Sequence, residues 1–303
     1  MLRAPMSSAP LIPYITLPEL VLVPARFFGD FPPVPISIKP FGALVAMGVY
    51  LGAHLTLKRA RRLGLDERAM SSFITHVVGY GFVGGHVFDE LFYYPERLMA
   101  DPWSIFRLWD GLSSFGGFSG AVIGMLIWRY RLRVPVLPYA DNVVAMLPVG
   151  WVFGRAGCAT AHDHPGLLSD SWLAVRYPGG ARFDLGLLEM LLTIPLMLAF
   201  LHLARKPRPW GFFAAIACIS YAPLRFALDF LRERDPVPGD IHGAIDVRYF
   251  YLTPAQWECF AMLTLGVLLL RHVLKKLERG EAFEQAAVPA LLKQQQLESG
   301  SKS

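Results

Sequence analysis

Val149-Gly150-Trp151-Val152-Phe153-Gly154-Arg155-Ala156-Gly157-Cys158 runs through Ala159, Thr160 and Ala161 into His162-Asp163-His164-Pro165-Gly166. The first part ends an apolar run and sets one arginine between two glycines. The second is a polar, histidine-containing loop. An unpaired arginine inside hydrocarbon costs about 2.5–3.5 kcal/mol even on the mildest scale. A partner or a ligand must offset that cost, so the surroundings of this run decide the fold.

The chain has 303 residues, 54% of them hydrophobic and 17% charged. Soluble proteins carry about 25% charged residues. Several apolar stretches reach the roughly 20 residues needed to span a bilayer. The net charge is +5, and the basic residues cluster between apolar runs. That is the pattern of membrane topology, so a lipid bilayer is expected as partner and nucleic acid is not. Cys158, Cys218 and Cys259 lie in or beside apolar runs. Their spacing matches neither a disulfide framework nor a metal motif, and neither a metal nor a cofactor is expected.

The predicted fold class is all-α: a polytopic membrane bundle of about seven transmembrane helices. Residues 1–37 are a proline- and aromatic-rich extracytoplasmic lead-in, without the ordered regions of a cleaved signal peptide. Residues 38–273 form the membrane domain, and 274–303 a cytoplasmic tail. Spans are expected near 38–57, 70–92, 112–130, 139–158, 185–204, 211–231 and 252–272. Basic clusters follow alternate spans: Lys58-Arg59-Ala60-Arg61-Arg62, Arg129 to Arg133, Arg205-Lys206-Pro207-Arg208, and Arg271 to Arg279. By the positive-inside rule these are cytoplasmic, which sets the N-terminus outside and the C-terminus inside.

Depth follows at 1.5 Å per helical residue. Arg155 lies roughly 20 Å, and Arg225 roughly 21 Å, from the cytoplasmic side. His86, Asp89, Glu90, Ser113, Gly116, Gly117, Asp184, Glu189, Gln256 and Glu258 fall near the same level. Intramembrane ionisable residues usually face the bundle interior and mark function. A polar cavity open toward the outer leaflet is expected.

Arg225, Asp229 and Arg232 stand at i, i+4 and i+7, one helix face. Two arginines around one carboxylate leave positive charge. With Arg155 at the same depth they suit a phosphate, to which guanidinium donates bidentate hydrogen bonds. A phospholipid headgroup is the natural ligand. The structural alternative stays open: Arg155 and Arg225 paired with Asp163 or Asp229 and binding nothing, and Arg232 snorkelling to the interface. Glycines at 79, 81, 84, 85, 116, 117 and 120 also suit close helix packing. His54 and His76 fall toward the inner side, as packing residues.

Several segments together resemble the prolipoprotein diacylglyceryl transferase family of bacterial inner-membrane enzymes, over about residues 38–275. They are Gly84-Gly85-His86 with Leu91 to Pro95, Trp109-Asp110-Gly111, Gly116-Gly117-Phe118-Ser119-Gly120, and Gly154-Arg155-Ala156-Gly157. Arg182 to Glu189, Arg205 to Gly211 and Tyr221 to Arg232 continue the likeness. The resemblance implies transfer of a diacylglyceryl group from phosphatidylglycerol to the lipobox cysteine of a preprolipoprotein, with glycerol phosphate leaving. Arg155 and Arg225 match the family's essential arginines. Arg232, Asp229, Glu189, Gly116, Gly117, Gly154, Gly157 and His86 are the implied substrate-binding residues.

The chain departs from that pattern in places. Ser114-Phe115 aligns where the family has a histidine proposed as base. Cys158 to Asp163 stands where the signature continues with asparagines and a glutamate, and Phe41 takes a tyrosine position. The thiol must still become a thiolate. Either His162 or His164 supplies the base, oriented by Asp163 or Asp184, or the chain is a divergent phospholipid-binding paralogue or scaffold with another acceptor or none. A secondary transporter would favour internal repeats and a central polar layer. The sequence offers no convincing repeat, and its polar layer is displaced outward.

Overall fold

The computed structural model describes residues 10, 12–23, 36–92, 94–107, 111–233 and 248–280. Much of the lead-in, the tail beyond 280, and Trp109-Asp110 therefore lie outside the described residues. A two-stranded antiparallel pair, β1 (Leu20–Val23) and β2 (Ile36–Ile38), precedes α1 (Pro40–Arg62). Then come α2 (Glu67–Phe92), a short α3 (Pro95–Ala100), α4 (Ser114–Leu132) and α5 (Leu137–Ala161). Strands β3 (Pro165–Leu168), β4 (Val175–Tyr177) and β5 (Gly180–Asp184) lead into α6 (Leu185–Leu203), α7 (Phe212–Leu228) and α8 (Pro254–Glu278).

Each of the seven expected spans is a helix at nearly the expected place. Five are long and apolar enough to cross a membrane by length and composition: α1, α5, α6, α7 extended to Leu231, and α8. The other two positions hold α2, with 26 residues, and α4, with 19. The last helix overruns its expected end and keeps Lys275 and Lys276 in its final turn, where cations oppose the helix dipole.

The segment between α5 and α6 differs from expectation. It is a three-stranded antiparallel sheet in the order β3-β5-β4, not a loop. The β4–β5 hairpin turns at Tyr177-Pro178-Gly179-Gly180, where Gly179 and Gly180 take φ of 89° and 135°. Only glycine enters that region without strain.

The chain divides into two compact units, and the division falls inside α1 and α5. One unit spans residues 53–143 and 207–211, with the segment from 279. Its core gathers Ala60, Met70, Phe73, Trp128 and Tyr139. The Trp128 ring centroid lies 4.9 Å from both Phe73 and Tyr139. Here α2 and α4 meet along a glycine seam: a Cβ at Gly84 would come within 2.7 Å of the Gly116 carbonyl, and one at Gly116 within 2.4 Å of the Gly84 carbonyl. Arg59 from the first basic cluster is buried and donates to Asn142 Oδ1 at 2.7 Å.

The other unit spans residues 1–52, 144–206 and 212–278. Small residues set its contacts. A Cβ at Gly48 would meet Phe153 and the Gly150 carbonyl at 2.8 and 2.9 Å, and one at Gly186 would meet Cys158 at 2.8 Å. Gly266 fits against Cys218 and Ile219, seating α8 on α7. Pro195 and Pro223 interrupt the ladders of α6 and α7.

Candidate active site

Three polar clusters lie in the second-named unit. The first is built on Glu189, in the second turn of α6. Arg155 Nε pairs with Glu189 Oε1 at 2.9 Å. The same oxygen accepts from Trp151 Nε1 at 3.0 Å and from the Tyr221 hydroxyl. The guanidinium also lies over the Trp151 ring, 5.1 Å from its centroid. The structural alternative pairs Arg155 and Arg225 with Asp163 or Asp229. The observed partner of Arg155 is Glu189, because α6 enters the unit with Gly186 against Cys158 and brings its next turn to α5.

The second cluster is built on Asp229, which is fully buried. Arg225 donates to Asp229 Oδ1 at 2.8 Å, and Arg232 Nε to the same oxygen at 3.3 Å. The Thr253 hydroxyl donates to Oδ2. Thr253-Pro254-Ala255-Gln256 is a capping box that starts α8. Gln256 N donates to Thr253 Oγ1 at 3.1 Å, and Thr253 N to Gln256 Oε1 at 3.0 Å. The spacing read from sequence thus does place both arginines on Asp229. The helix stops there: α7 passes into a 3₁₀ turn over Asp229–Leu231.

The third cluster follows α5. His162 takes φ of 52°, the left-handed conformation that turns a chain out of a helix. Its Nδ1 faces Asp184 Oδ2 at 2.8 Å and its Nε2 the Ile15 carbonyl at 3.1 Å. Tyr14 stacks on the ring with centroids 4.0 Å apart. Burial works against protonation of His162, but the bonds to Asp184 and Ile15 and the charge of Asp163 outweigh it and raise the imidazole above its ordinary value. Asp184 also caps α6, accepting from Leu187 N at 2.9 Å, and accepts from the Tyr177 hydroxyl at 2.8 Å. Burial beside that carboxylate pushes the Tyr177 phenol up. Next in the chain, Asp163 and His164 bond to each other at 2.5 Å. Cys158, Asp163 and His164 each offer one ligand-type atom within 4.8 Å of the others.

Other expected site residues stand elsewhere. His86, Gly116 and Gly117 belong to the unit with the glycine seam. His86 has no exposed surface, and its ring nitrogens face the Gly111 and Ser104 carbonyls at 3.2 and 3.1 Å. Those contacts fasten the segment after α3 to α2. A Cβ at Gly116 would collide with Phe88 Cβ and the Gly84 carbonyl, so packing needs the glycine there, while a Cβ at Gly117 would meet only the Gly81 carbonyl at 3.8 Å. In the arginine unit, Gly157 packs against Phe41, whereas a Cβ at Gly154 would meet nothing within 4 Å. Both ring nitrogens of His162 face oxygen atoms of the protein.

Arg182 is a buried cation beside these clusters that its sequence context does not single out. It pairs with Glu233 at 2.5 Å beside the backbone bridge of Gly166 and Arg232. Its place inside a strand, which the sequence reading did not expect, hid it.

Residues 31–272 match the family model for prolipoprotein diacylglyceryl transferase. The chain belongs to that family. It is a polytopic membrane protein, as the apolar helices require. Among its relatives is the phosphatidylglycerol–prolipoprotein diacylglyceryl transferase of Chromohalobacter salexigens, 32% identical over 80% of this chain and 92% of the relative. Proteins of the same name from Azoarcus sp. and Pasteurella multocida are 29% and 31% identical. Those alignments cover 81% and 80% of this chain, and 94% and 92% of the relatives.

Proposed function

We propose that this chain transfers a diacylglyceryl group from phosphatidylglycerol to the lipobox cysteine of a prolipoprotein. The relatives' names supply the substrates. The observation that carries the reading is the pair of arginines held on one buried carboxylate. Arg225 and Arg232 share one oxygen of the buried Asp229, so the two guanidiniums there carry more charge than the single carboxylate that holds them. Arg155 and Arg225 are only 13% and 15% exposed, which weakens solvent screening of their attraction.

The reaction is attack of sulfur on the glyceryl carbon that bears the phosphate. The C–S bond forms as the C–O bond breaks, and negative charge grows on the departing phosphate. Fixed guanidinium donors aimed at that charge lower the barrier, because they need little reorganisation during the step. Arg155 and Arg225 act on the phosphate, Arg232 supports them, and Glu189 and Asp229 hold the forks in place. Gly154 leaves room for the lipid. The protein crosses the membrane seven times with its N-terminus outside, in the bacterial inner membrane, so the arginines meet the outer headgroup layer. Nucleic acid has no part in this.

A second reading is a phospholipid-binding paralogue with another acceptor. It is favoured by Ser114-Phe115 and Cys158 at positions where the family pattern has histidine and asparagine. Glycerol phosphate release from phosphatidylglycerol vesicles, with and without a lipobox-cysteine peptide, separates the two. Peptide-dependent release supports transfer. Lipid binding without release in either arm supports the paralogue.

A further inference from the structure

We propose that Cys158, Asp163 and His164 hold a zinc ion. Their ligand atoms lie within 4.8 Å of one another. Tetrahedral zinc with bonds of about 2.0–2.3 Å sets ligand atoms roughly 3.3–3.8 Å apart, so the ion replaces the Asp163–His164 hydrogen bond of 2.5 Å as those two side chains rotate apart and toward Cys158. Thiolate, carboxylate and imidazole together favour zinc over magnesium or calcium, which take oxygen ligands.

The loop is built to hold these groups. His162, in its left-handed conformation, turns the chain after α5 so that the next two residues come back toward Cys158. Asp184, Ile15 and Tyr14 fix the His162 ring. The His164 carbonyl accepts from Leu185 N at 3.0 Å, which pins the loop to the first turn of α6. Pre-set ligands of this kind need little ordering when the metal binds.

Charge favours the ion as well. Cys158 is buried, and a bare thiolate there would be poorly solvated. A zinc ion with one thiolate and one carboxylate is neutral overall. Arg155 Nη1 stands 3.9 Å from Cys158 Sγ and adds a weak donor to the sulfur. Asp163 and His164 are 19% and 30% exposed at their side chains, so a fourth position is reachable from outside. Three protein ligands and one open position are the pattern of catalytic zinc rather than structural zinc.

The open position takes a thiol, and this part rests on the transfer reaction above. A thiol on zinc gives up its proton to solvent and stays as thiolate. That sulfur attacks the glyceryl carbon, and glycerol phosphate leaves with the electrons of the broken C–O bond. The ion thereby does the work of the base that Ser114-Phe115 does not supply.

Metal content of the full-length protein, purified in detergent without chelator, tests the site apart from turnover. One zinc per chain is expected, with an X-ray absorption spectrum of one sulfur near 2.3 Å and lighter ligands near 2.0–2.1 Å. Cobalt added to the stripped protein should give a thiolate-to-metal charge-transfer band. Cys158→Ser should abolish the band and Cys218→Ser should keep it, while Asp163→Asn and His164→Gln weaken cobalt binding at least tenfold. Less than a tenth of an equivalent of zinc with no cobalt band, a band that survives Cys158→Ser, or zinc with only light-atom ligands overturns the site. If zinc binds but stripping it leaves peptide transfer unchanged, thiol activation is overturned. If the loaded protein transfers nothing, the transfer reading fails and the metal site stands.

Discussion

The Thr253 hydroxyl, first residue of the α8 capping box, donates to the buried Asp229 carboxylate that Arg225 and Arg232 share. One side chain thus starts a helix and orients the acid that holds two guanidiniums. Thr253→Val keeps the branched shape and removes both hydroxyl bonds. It should cost about 1–2 kcal/mol of stability, while Thr253→Ser should cost a few tenths. Thermal unfolding in detergent checks both values. Equal stability of Val and wild type would show that the hydroxyl carries nothing.

Arg225 is the guanidinium closest to Asp229, at 2.8 Å. Arg225→Ala should lower kcat about 10²–10³-fold, the usual effect of removing one donor to developing charge. Arg225→Lys should recover little, because an ammonium has no planar fork. Peptide lipidation rates at saturating lipid measure this. Full recovery by lysine would mean that only net charge matters.

Arg155 and Glu189 form a buried pair, so removing one charge strands the other at a cost on the order of 3–5 kcal/mol. Glu189→Gln keeps an acceptor for Trp151 and Tyr221 and loses the charge. Combined with Arg155→Met, it should destabilise less than the sum of the two single changes, by at least about 1 kcal/mol. Turnover should be lost in all three variants. Additive stabilities would deny that the pair is coupled.

Gly154 sits inside α5 with open space where a Cβ would go. Gly154→Ala should therefore leave stability unchanged or raise it by up to about 1 kcal/mol. Turnover should fall, since the same space receives lipid. Unchanged turnover would remove Gly154 from the binding surface.

Tyr177 gives a prediction with a pH sign. Burial beside Asp184 raises the phenol in the folded protein, so the fold binds that proton more tightly than the unfolded chain does. Its contribution is whole below about pH 10 and is lost only as pH rises through the higher folded value. Tyr177→Phe should lower stability by about 1 kcal/mol, with a gap from wild type that stays constant between roughly pH 6 and 9. A gap that shrinks within that range would mean the phenol ionises early.

The helices were legible because each apolar run carries its own length and charged ends. The placing of Arg225 and Arg232 on Asp229 was legible too, since i, i+3 and i+4 contacts are local. The partner of Arg155 was not. Glu189 arrives from another helix, and only packing at Gly186 decides which turn of α6 reaches α5. The β3–β5 sheet was missed because its strands are short, although Pro178-Gly179-Gly180 signals a turn. The Thr253–Gln256 capping box was visible in sequence and would have marked the start of α8. The surroundings of the His86 and His162 rings were out of reach, for the groups that face them are mostly backbone carbonyls distant in the chain.

The most direct test is a mass spectrum of a lipobox-cysteine peptide incubated with the purified protein and phosphatidylglycerol, beside an Arg155→Ala control. A diacylglyceryl mass gain with wild type and none with the folded variant is the expected result. No gain with folded wild type, while a relative of proven activity works in parallel, or an equal gain with Arg155→Ala, would contradict the arginine-assisted transfer proposed for this chain.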